Sequence, residues 1–371
     1  MTPTVFQAIP DFLAASPQDL QNFSERYVLA PLLGARGEAL SLASGGFLRP
    51  IETSPKPINP LLTSAENAAR YAMLTALHRE LKPNGIRVPA VSRQHEFSFQ
   101  AIQDRERQPP FDWKNRQIIV TGASSGLGQA TSLKLAERGT TVFALARRID
   151  RLKEIEARAP AGRIVAIPSD ITDARSIHAA VTTALAQASR PRFDGIIHCA
   201  GSNQIGLITK TSPKELEDLV ATNVLGTLLF LQATLPHTAA NAHVAIVSSG
   251  VALFPCVGTV AYSTVKAAQF GFSAALAKAL QHTQIKITSV LPGFFKSEML
   301  HKNYNLPLME GAVRLMSRAW PESDSAATTM LHDIEQGRYF STPGLGGSQA
   351  FHHPALRTIL SKGSSWARFL L

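Results

Sequence analysis

Two kinds of hydrophobic pattern alternate along residues 117–291. Short continuous apolar runs, typical of strands buried on both faces of a parallel sheet, recur along this region. Between them lie longer stretches with apolar residues at helical spacing. Strands that alternate with helices predict right-handed βαβ units, hence an α/β fold with a doubly wound parallel sheet whose ligand lies at the carboxyl ends of the strands. The predicted strands are 118–120, 141–146, 163–168, 195–200, 243–249 and 286–291, and the predicted helices include about 150–157, 173–187, 213–235 and 262–281.

A second pattern relates the region before residue 112 to the rest of the chain. Four blocks align in the same order with four later blocks and share the spacing of their apolar positions. One amphipathic helix often resembles another by chance, but an ordered series favours an internal duplication. We therefore expect a partial, degenerate copy of the fold to precede the complete one. The aligned blocks are 16–33 with 212–229, 39–50 with 244–255, 63–81 with 262–280, and 86–91 with 285–290.

These patterns divide the chain into four parts. The first copy begins after the point where a glycine-rich turn would stand, so it lacks the phosphate-binding half of the fold. A polar stretch that ends in a proline pair separates the copies. The predicted parts are a non-catalytic half-repeat at 1–95, a linker at 96–113, a nucleotide-binding catalytic domain at 114–300, and a C-terminal extension over the substrate at 301–371.

Composition narrows the class of protein. Of the 371 residues 45% are hydrophobic and 17% charged, which is typical of a globular chain with a sizeable core. The two cysteines fit a reducing compartment, and without a long apolar run or a basic start we expect a cytoplasmic protein. The net charge of +10 is scattered and not interleaved with aromatic residues, so we expect a generally basic surface and no nucleic-acid partner. No metal site is predicted.

The sequence TGASSGLG at 121–128 follows the first strand and opens a helix. Glycines let the backbone approach a pyrophosphate, and a helix N-terminus offers free N–H groups and the positive end of the helix dipole. A glycine pattern alone is weak, but the strand–turn–helix context makes a dinucleotide site credible. The candidate cofactor-binding residues of this turn are Gly122, Ser124, Ser125, Gly126, Leu127 and Gly128.

The next strand ends in Ala146-Arg147-Arg148. Dinucleotide folds that prefer NAD usually carry an acid about 20 residues beyond the turn, for the ribose 2′-hydroxyl, whereas arginine suits a 2′-phosphate. Arg147 and Arg148 therefore predict NADP(H), and a solvated pair at a strand end is the alternative.

Tyr262 and Lys266 are four residues apart and so share one helix face. A lysine cation favours the phenolate of a nearby tyrosine and lowers its pKa from about 10, so that it can exchange a proton with a carbonyl or alcohol oxygen. Ser249, at the end of the preceding strand, could donate a hydrogen bond to the same oxygen. The Tyr262–Lys266 pair alone is weak evidence for catalysis, because a tyrosine and a lysine at this spacing occur by chance in many helices.

The combined motifs resemble the short-chain dehydrogenase/reductases over about 115–300. TGASSGLG, SDIT (169–172), HCAG (198–201), ATNVLG (221–226), YSTVK (262–266) and PGFFKS (292–297) come in that family's order and spacing. The resemblance implies a Rossmann-like fold and hydride transfer with a nicotinamide cofactor. It implies Tyr262 as general acid, Lys266 on the nicotinamide ribose, Ser249 on the substrate carbonyl, and Asn223 on a proton-relay water. It further implies Asp170 and Ile171 beside the adenine, and Ala200, Gly201, Phe295 and Ser297 along the cofactor.

Two residues depart from the family's pattern. Cys199 stands where the family usually has the asparagine of Asn-Ala-Gly, which puts the bracing of the sheet in doubt. We expect Cys199 to be a small buried hydrophobe, and a reactive thiol is the sharper alternative. Ser297 stands where the family usually has threonine, and it keeps the hydroxyl.

The first copy lacks the chemistry of the second. By the alignment, Asn223 becomes Tyr27, Tyr262 becomes Thr63 and Lys266 becomes Asn67, while Pro292-Gly293 becomes Arg93-Gln94 and only Ser249 keeps a serine, Ser44. What survives is the apolar spacing of two helices and two strands. In the family the corresponding helices form the main subunit interface. We therefore expect residues 1–92 to pack on the catalytic domain as an intrachain pseudo-partner, with homo-oligomerisation as the alternative.

The C-terminal extension is less informative. Residues 326–344 read as a helix followed by a short extended piece, loosely similar to lipid-directed family members such as 3-ketosphinganine reductases. Residues 356–371 mix aromatic, apolar and basic side chains, which fits either weak contact with a membrane surface or packing over the substrate.

The sequence as a whole predicts an NADPH-dependent oxidoreductase that interconverts a ketone and a secondary alcohol. We expect an apolar, lipid- or acyl-like substrate, because the segments expected to line the pocket, 202–212 and 296–320, are rich in leucine, isoleucine and methionine. The alternatives are an enzyme acting on a small polar alcohol or sugar, and a non-catalytic NADP-binding scaffold.

Overall fold

A single parallel sheet organises the protein. The computed structural model describes residues 4–42, 59–84, 88, 110–301 and 320–344. Within them, seven strands lie in the order β3-β2-β1-β4-β5-β6-β7, and neighbouring strands are parallel. The order reverses beside β1, so the predicted doubly wound α/β fold is confirmed. The strands are β1 Gln117–Thr121, β2 Thr141–Ala146, β3 Ile164–Pro168, β4 Phe193–His198, β5 Thr238–Val247, β6 Lys286–Val290 and β7 Phe340–Ser341.

Helices cover both faces of the sheet, and successive strand residues supply the two cores. Ile118 and Val120 face one layer, built from α5, α6 and α11, while Ile119 faces the other, built from α7 to α10 and the N-terminal helices α1 to α4. The helices are α1 Thr4–Ala14, α2 Pro17–Ser24, α3 Ala30–Ser41, α4 Pro60–Leu81, α5 Gly126–Glu137, α6 Ile149–Arg158, α7 Ala174–Gln187, α8 Pro213–Val220, α9 Gly226–Thr234, α10 Val260–Ala279 and α11 Ser323–Glu335.

Two helical segments share the same local construction. In both, a serine N-cap and an acid three residues later form a capping box, Ser16 with Asp19 before α2 and Ser212 with Glu215 before α8. In both, a short π-helical turn follows, at Glu25–Leu29 and at Ala221–Leu225. The two turns are counterparts in the alignment of 16–33 with 212–229.

Helix α4 packs along α10 through small residues. Gly271 lies so close to α4 that an added Cβ would lie 2.8 Å from the Cβ of Ala68. Ala68, Ala72 and Ala267 are buried in one cluster. In the alignment of 63–81 with 262–280, Ala72 is the counterpart of Gly271 and Ala68 that of Ala267, so the two helices meet through corresponding positions.

Three regions differ from the sequence-based expectations. Residues 39–41 continue helix α3, whereas their alignment with 244–246 predicts the start of a strand; their backbone groups bond within the helix instead. Trp113, at the end of the predicted linker, is buried against α5 and α11. Strand β7, which follows helix α11, pairs with β6 and so extends the sheet beyond the predicted boundary at residue 300. Ser44, Arg93, Gln94 and residues 345–371 lie outside the described residues.

The segment Pro213–His237 is long and apolar enough to cross a membrane by length and composition alone. Most of it is buried within the fold, as the core helix of a globular domain is, so this finding is weak evidence for a membrane span.

Candidate active site

The glycine-rich turn after β1 comes close to the end of β4. Gly122 has a φ of +66°, and an added Cβ would lie 2.8 Å from the amide nitrogen of Ala200. At Gly128 an added Cβ would collide with the carbonyl oxygen of Gly122. Only glycine fits either position without a shift of the backbone. The turn therefore holds the predicted residues Ala200 and Gly201 beside the N-terminus of α5.

The N-terminus of α5 opens onto this cradle. The N-cap residue Ser125 makes no side-chain bond to the helix, so the first N–H groups are available to an anion. Gly126 has a φ of +54°, and its nearest neighbour across the cleft is the side chain of Ser297, 3.5 Å from an added Cβ. The turn and helix terminus thus fit a pyrophosphate, with Ser297 at the other wall of the cleft.

Arg148 lies across the same turn. Its guanidinium donates to the hydroxyls of Ser124 and Ser125, the latter at 2.8 Å, and forms a 2.9 Å ion pair with Glu298. Arg147 is exposed at the end of β2. Both arginines stand beside the position where the ribose of a bound nucleotide would lie in this fold.

The predicted adenine-side residues lie at the carboxyl end of β3. The Asp170 carboxylate accepts hydrogen bonds from the backbone N–H and the hydroxyl of Thr172, at 2.9 Å and 2.8 Å, which shapes the turn. Ile171 contacts helix α9, since an added Cβ on Gly226 would lie 2.9 Å from its Cγ1. These bonds hold the turn on the same edge of the sheet as the glycine cradle.

Gly201, Asn223 and Lys266 meet at the centre of that edge. An added Cβ on Gly201 would lie 2.9 Å from Asn223 Oδ1 and 3.1 Å from Lys266 Nζ. The Asn223 Nδ2 donates to the carbonyl of Leu219 at 2.9 Å, whereas its buried Oδ1 has no hydrogen-bond partner among the described residues. A buried acceptor without a partner suits a bound water or a ligand hydroxyl.

The π-helical turn explains how Asn223 reaches this point. It widens the helix between α8 and α9, and such turns often mark functional sites.

Ser249 lies just after β5, and Tyr262 lies in the first turn of α10. Lys266 Nζ lies 5.8 Å from the centroid of the Tyr262 ring. Ser249 begins a short 3₁₀ turn, and its Oγ accepts the N–H of Val251 at 3.4 Å. The Ser248 hydroxyl donates to the Lys266 carbonyl at 2.6 Å, which fixes α10 against the end of β5.

Burial governs the titration of the central groups. It lowers the pKa of the Lys266 ammonium to about 7, although the Cys199 side chain acts in the opposite direction. Burial raises the pKa of the Cys199 thiol to about 12, so its reactive thiolate is disfavoured at neutral pH.

Residues 116–306 match the family profile described as short chain dehydrogenase. The chain belongs to this family. It is 33% identical over 218 residues to an uncharacterized oxidoreductase of Myxococcus xanthus, a match that covers 57% of this chain and 85% of the relative. It is 28% identical over 244 residues to a (3R)-3-hydroxyacyl-CoA dehydrogenase of Canis lupus familiaris, covering 62% and 93%.

A solved short chain dehydrogenase/reductase from Burkholderia phymatum, in complex with NAD, has a TM-score of 0.58. It is 17% identical and covers 67% of this chain and 93% of its own. At this identity the likeness concerns the fold alone.

This short-chain dehydrogenase contains a buried polar chain that the sequence analysis missed. Lys266 Nζ donates to Gln269 Oε1 at 2.9 Å, and Gln269 Nε2 donates to the Thr227 hydroxyl oxygen at 2.7 Å. His198 joins the Thr227 and Thr121 hydroxyls, each at 2.9 Å. The available signal was a set of polar residues within otherwise apolar strand and helix runs.

The N-terminal helices also reach the loops beside the active site. Glu80 of α4 accepts the backbone N–H of Ile208 at 2.8 Å, and Arg79 donates to the carbonyl of Pro255. The two loops are tied to each other, because the Gly206 N–H donates to the Gly258 carbonyl at 2.7 Å. Gly258 lies four residues before Tyr262.

Of the predicted pocket-lining residues, those at 302–319 lie outside the described residues. Ile208 is buried in the main core, and Phe295 packs against the core on the α5 side. Asn203 Nδ2 donates to the carbonyl of Met299 at 2.9 Å, which links the loop after β4 to the segment after β6.

Proposed function

We propose that this short-chain dehydrogenase is an NADPH-dependent oxidoreductase that interconverts a ketone and a secondary alcohol. The observation that carries the proposal is the meeting of Gly201, the unpartnered Asn223 Oδ1 and Lys266 Nζ beside a cradle that only glycines fit. A bound NADPH would supply the hydride for the carbonyl carbon. In the reductive direction a carbonyl, a hydride and one proton give an alcohol and NADP⁺.

The chain's own residues supply the proton and hold the oxygen. Tyr262 donates the proton to the carbonyl oxygen as its charge develops, and the Ser249 hydroxyl donates a hydrogen bond to the same oxygen. Lys266, as a cation, stabilises the phenolate that remains. The Asn223 Oδ1 accepts a hydrogen bond from a water that returns a proton towards Lys266.

The proposed preference for NADPH over NADH rests on the side chains at the end of β2. Arg148 already binds the two serine hydroxyls of the glycine-rich turn, and Arg147 is exposed beside it. The two residues directly after Ala146 are arginines and not an acid that would accept from a ribose 2′-hydroxyl, and a guanidinium binds phosphate strongly.

The substrate is proposed to be apolar and acyl-like. The canine relative is named for a hydroxyacyl-CoA substrate, and the loop that begins after Gly201 carries the half-buried Leu207. Two alternatives compete with this proposal. The substrate is a small polar alcohol or sugar, or the protein binds NADP without catalysis.

Fluorescence titrations with NADPH and NADH test the cofactor first. Wild type should bind NADPH more tightly, and the double variant Arg147→Ala, Arg148→Ala should lose about 10–100-fold of that preference, as expected for charge-assisted hydrogen bonds. A panel of ketones, acyl thioesters and small sugars, followed by NADPH absorbance, then tests the reaction. A chain that binds neither cofactor contradicts the enzyme proposal.

We propose further that the N-terminal helices take the place of a second subunit. Helix α2 contacts the π-helical turn after α8, while α8 contacts the π-helical turn after α2. Helix α4 meets α10 through corresponding small residues. Such reciprocal contacts are the pattern of a twofold interface, here made within one chain.

Light scattering on the full chain should give one chain per particle. Deletion of residues 1–95 should expose the face of α8 to α10 and cause association or loss of activity. A deletion variant that is soluble, monomeric and fully active contradicts the pseudo-subunit.

A further inference from the structure

The buried polar chain behind Lys266 connects four elements of the fold. It runs from Lys266 and Gln269 on α10 through Thr227 on α9 to His198 at the end of β4 and Thr121 at the end of β1. All five side chains are at most 4% exposed. Buried polar groups that satisfy one another fix a single arrangement, because each alternative leaves a group without a partner.

The positions of the protons in this chain follow from the donors and acceptors. The Thr227 hydroxyl donates to the Asn223 carbonyl at 2.6 Å, so its oxygen can only accept from the Gln269 amide and from His198 Nε2. His198 therefore carries its proton on Nε2, and Nδ1 accepts from Thr121. The Thr121 oxygen in turn accepts the backbone N–H of Ala200 at 3.1 Å.

The same accounting orients Gln269. Its Nε2 must donate to Thr227, so its Oε1 faces Lys266 and accepts from the ammonium. Lys266 Nζ also donates to the Val247 carbonyl at 3.3 Å. Two of its three N–H groups are thereby directed into the protein, and the third is left for the side where Gly201 and Asn223 lie.

We propose that Gln269, oriented by Thr227 and His198, is a positioning residue that sets the direction and the charge state of Lys266. The proposal rests on the proposed function, since Lys266 is taken there to act beside Tyr262. Gln269 touches neither substrate nor cofactor in this scheme and acts through Lys266.

The buried polar chain also bears on position 199, where the family usually has asparagine and this protein has Cys199. His198, the neighbour of Cys199, ties the end of β4 to β1 on one side and to α9 on the other. Bracing of the sheet beneath the cofactor cleft is therefore supplied one residue earlier. The Ala200 N–H, which donates to the Thr121 hydroxyl oxygen at 3.1 Å, also holds the end of β4 against the glycine cradle.

Two substitutions at position 269 test the proposal with opposite signs. Gln269→Met keeps the length of the side chain and removes the acceptor, so the limb of the kcat/KM profile that reports Lys266 should move to lower pH. Gln269→Glu adds a negative charge and should move the same limb to higher pH. The Met variant should also lose about 10–100-fold in kcat/KM, as expected for a hydrogen bond to a charged group.

Two buried threonines of α9 provide a matched control. Thr227 and Thr234 are both buried, and both hydroxyls donate to the carbonyl four residues earlier, at 2.6 Å and 2.7 Å. Only Thr227 belongs to the polar chain. Thr227→Val should shift the pH profile in the same direction as Gln269→Met, while Thr234→Val should leave it unchanged.

The outcomes separate this proposal from the proposed function. If Gln269→Met keeps the wild-type pH profile and kcat/KM, or if Thr234→Val changes both as Thr227→Val does, the positioning role is wrong. If wild type reduces no carbonyl in the panel, the proposed function fails. In that case titration with NADP⁺ over the same pH range decides the role of Gln269, because the Met variant should then bind more weakly than wild type and Thr234→Val should not.

Discussion

Helices α4 and α10 present similar small residues where they cross, but only α10 carries the candidate catalytic side chains. Both present small residues at their crossing, around Ala68 and Gly271. On α10, Lys266 bonds the Val247 carbonyl of β5 and Gln269, and Gln269 in turn bonds Thr227 of α9. The counterparts of Tyr262 and Lys266 on α4 are Thr63 and Asn67. A helix interface needs only small apolar residues at the right spacing, whereas this chemistry needs partners from several distant segments.

The two π-helical turns show the same division. In the catalytic half the turn carries Asn223, whose Oδ1 lies near Gly201. In the N-terminal half the equivalent position is Tyr27, whose ring stacks on Phe23 with 5.3 Å between centroids. The backbone irregularity is the same in both halves, but here an aromatic contact takes the position of the polar group. The same backbone irregularity therefore occurs with a polar side chain in one region and an aromatic side chain in the other.

The strongest test of this comparison removes the phenol from one helix at a time. Tyr262→Phe should reduce kcat by about 10²–10⁴-fold, the usual contribution of a positioned general acid. Tyr71→Phe, on α4, should leave kcat within experimental error. The measurement is initial rates with saturating NADPH and the best ketone of the panel, and equal losses in both variants would contradict the assignment of chemistry to α10.

Acidification should weaken the polar chain of the catalytic half. Burial lowers the pKa of His198 from 6.5 to about 3, so the unfolded state binds more protons than the folded state within that window. The free energy of unfolding should therefore fall as the pH drops from about 6.5 towards 3, by a few kcal/mol. Denaturant unfolding at several pH values measures the slope.

Substitution of His198 tests whether this residue causes part of the pH dependence of the unfolding free energy. His198→Gln should be less stable than wild type at neutral pH and should show a shallower decline on acidification. His243, whose pKa burial lowers to about 4, contributes a second part, so His243→Gln serves for comparison. Parallel curves for wild type and His198→Gln would show that His198 is not the source.

The helix crossing can be tested at its closest point. Gly271→Leu places a side chain against the Ser64 carbonyl and the Ala68 Cβ and should cost about 1–3 kcal/mol of unfolding free energy. Gly37 also lies in a helix, but no atom is near an added Cβ, so Gly37→Ala should stabilise the protein by about 0.5–1 kcal/mol. Opposite shifts in midpoint temperature are expected, and a neutral Gly271→Leu would mean that the crossing is not close-packed.

The sheet, the glycine cradle and the Tyr262–Lys266 pair could be expected from sequence because their signals are local. Apolar runs, a strand–turn–helix context and a four-residue spacing each lie within a few residues. The polar chain could not be predicted in this way, because Thr121, His198, Thr227 and Gln269 are brought together only by strand order and helix packing. The burial of Trp113 and the pairing of β7 likewise depend on long-range contacts with α11 and β6.

The smallest expected effect concerns what α4 still contributes to the catalytic half. Glu80 and Glu66 both lie on α4, both are buried, and burial raises the pKa of each above its ordinary value of 4.5. Only Glu80 binds the loop after β4, through the Ile208 N–H. Glu80→Gln keeps an acceptor for that N–H but removes the charge, so KM should change by about two- to fivefold with kcat unchanged.

Glu66→Gln should leave KM as it is, although both variants should share one effect on stability. A raised carboxyl pKa penalises folding only above pH 4.5, increasingly until the folded pKa is passed, so both variants should gain stability relative to wild type near neutral pH and lose that gain towards pH 4. Unfolding curves and steady-state kinetics on the same preparations separate the two effects. A change of KM in both variants would mean that any loss of charge on α4 disturbs the site, and no change in either would limit α4 to packing.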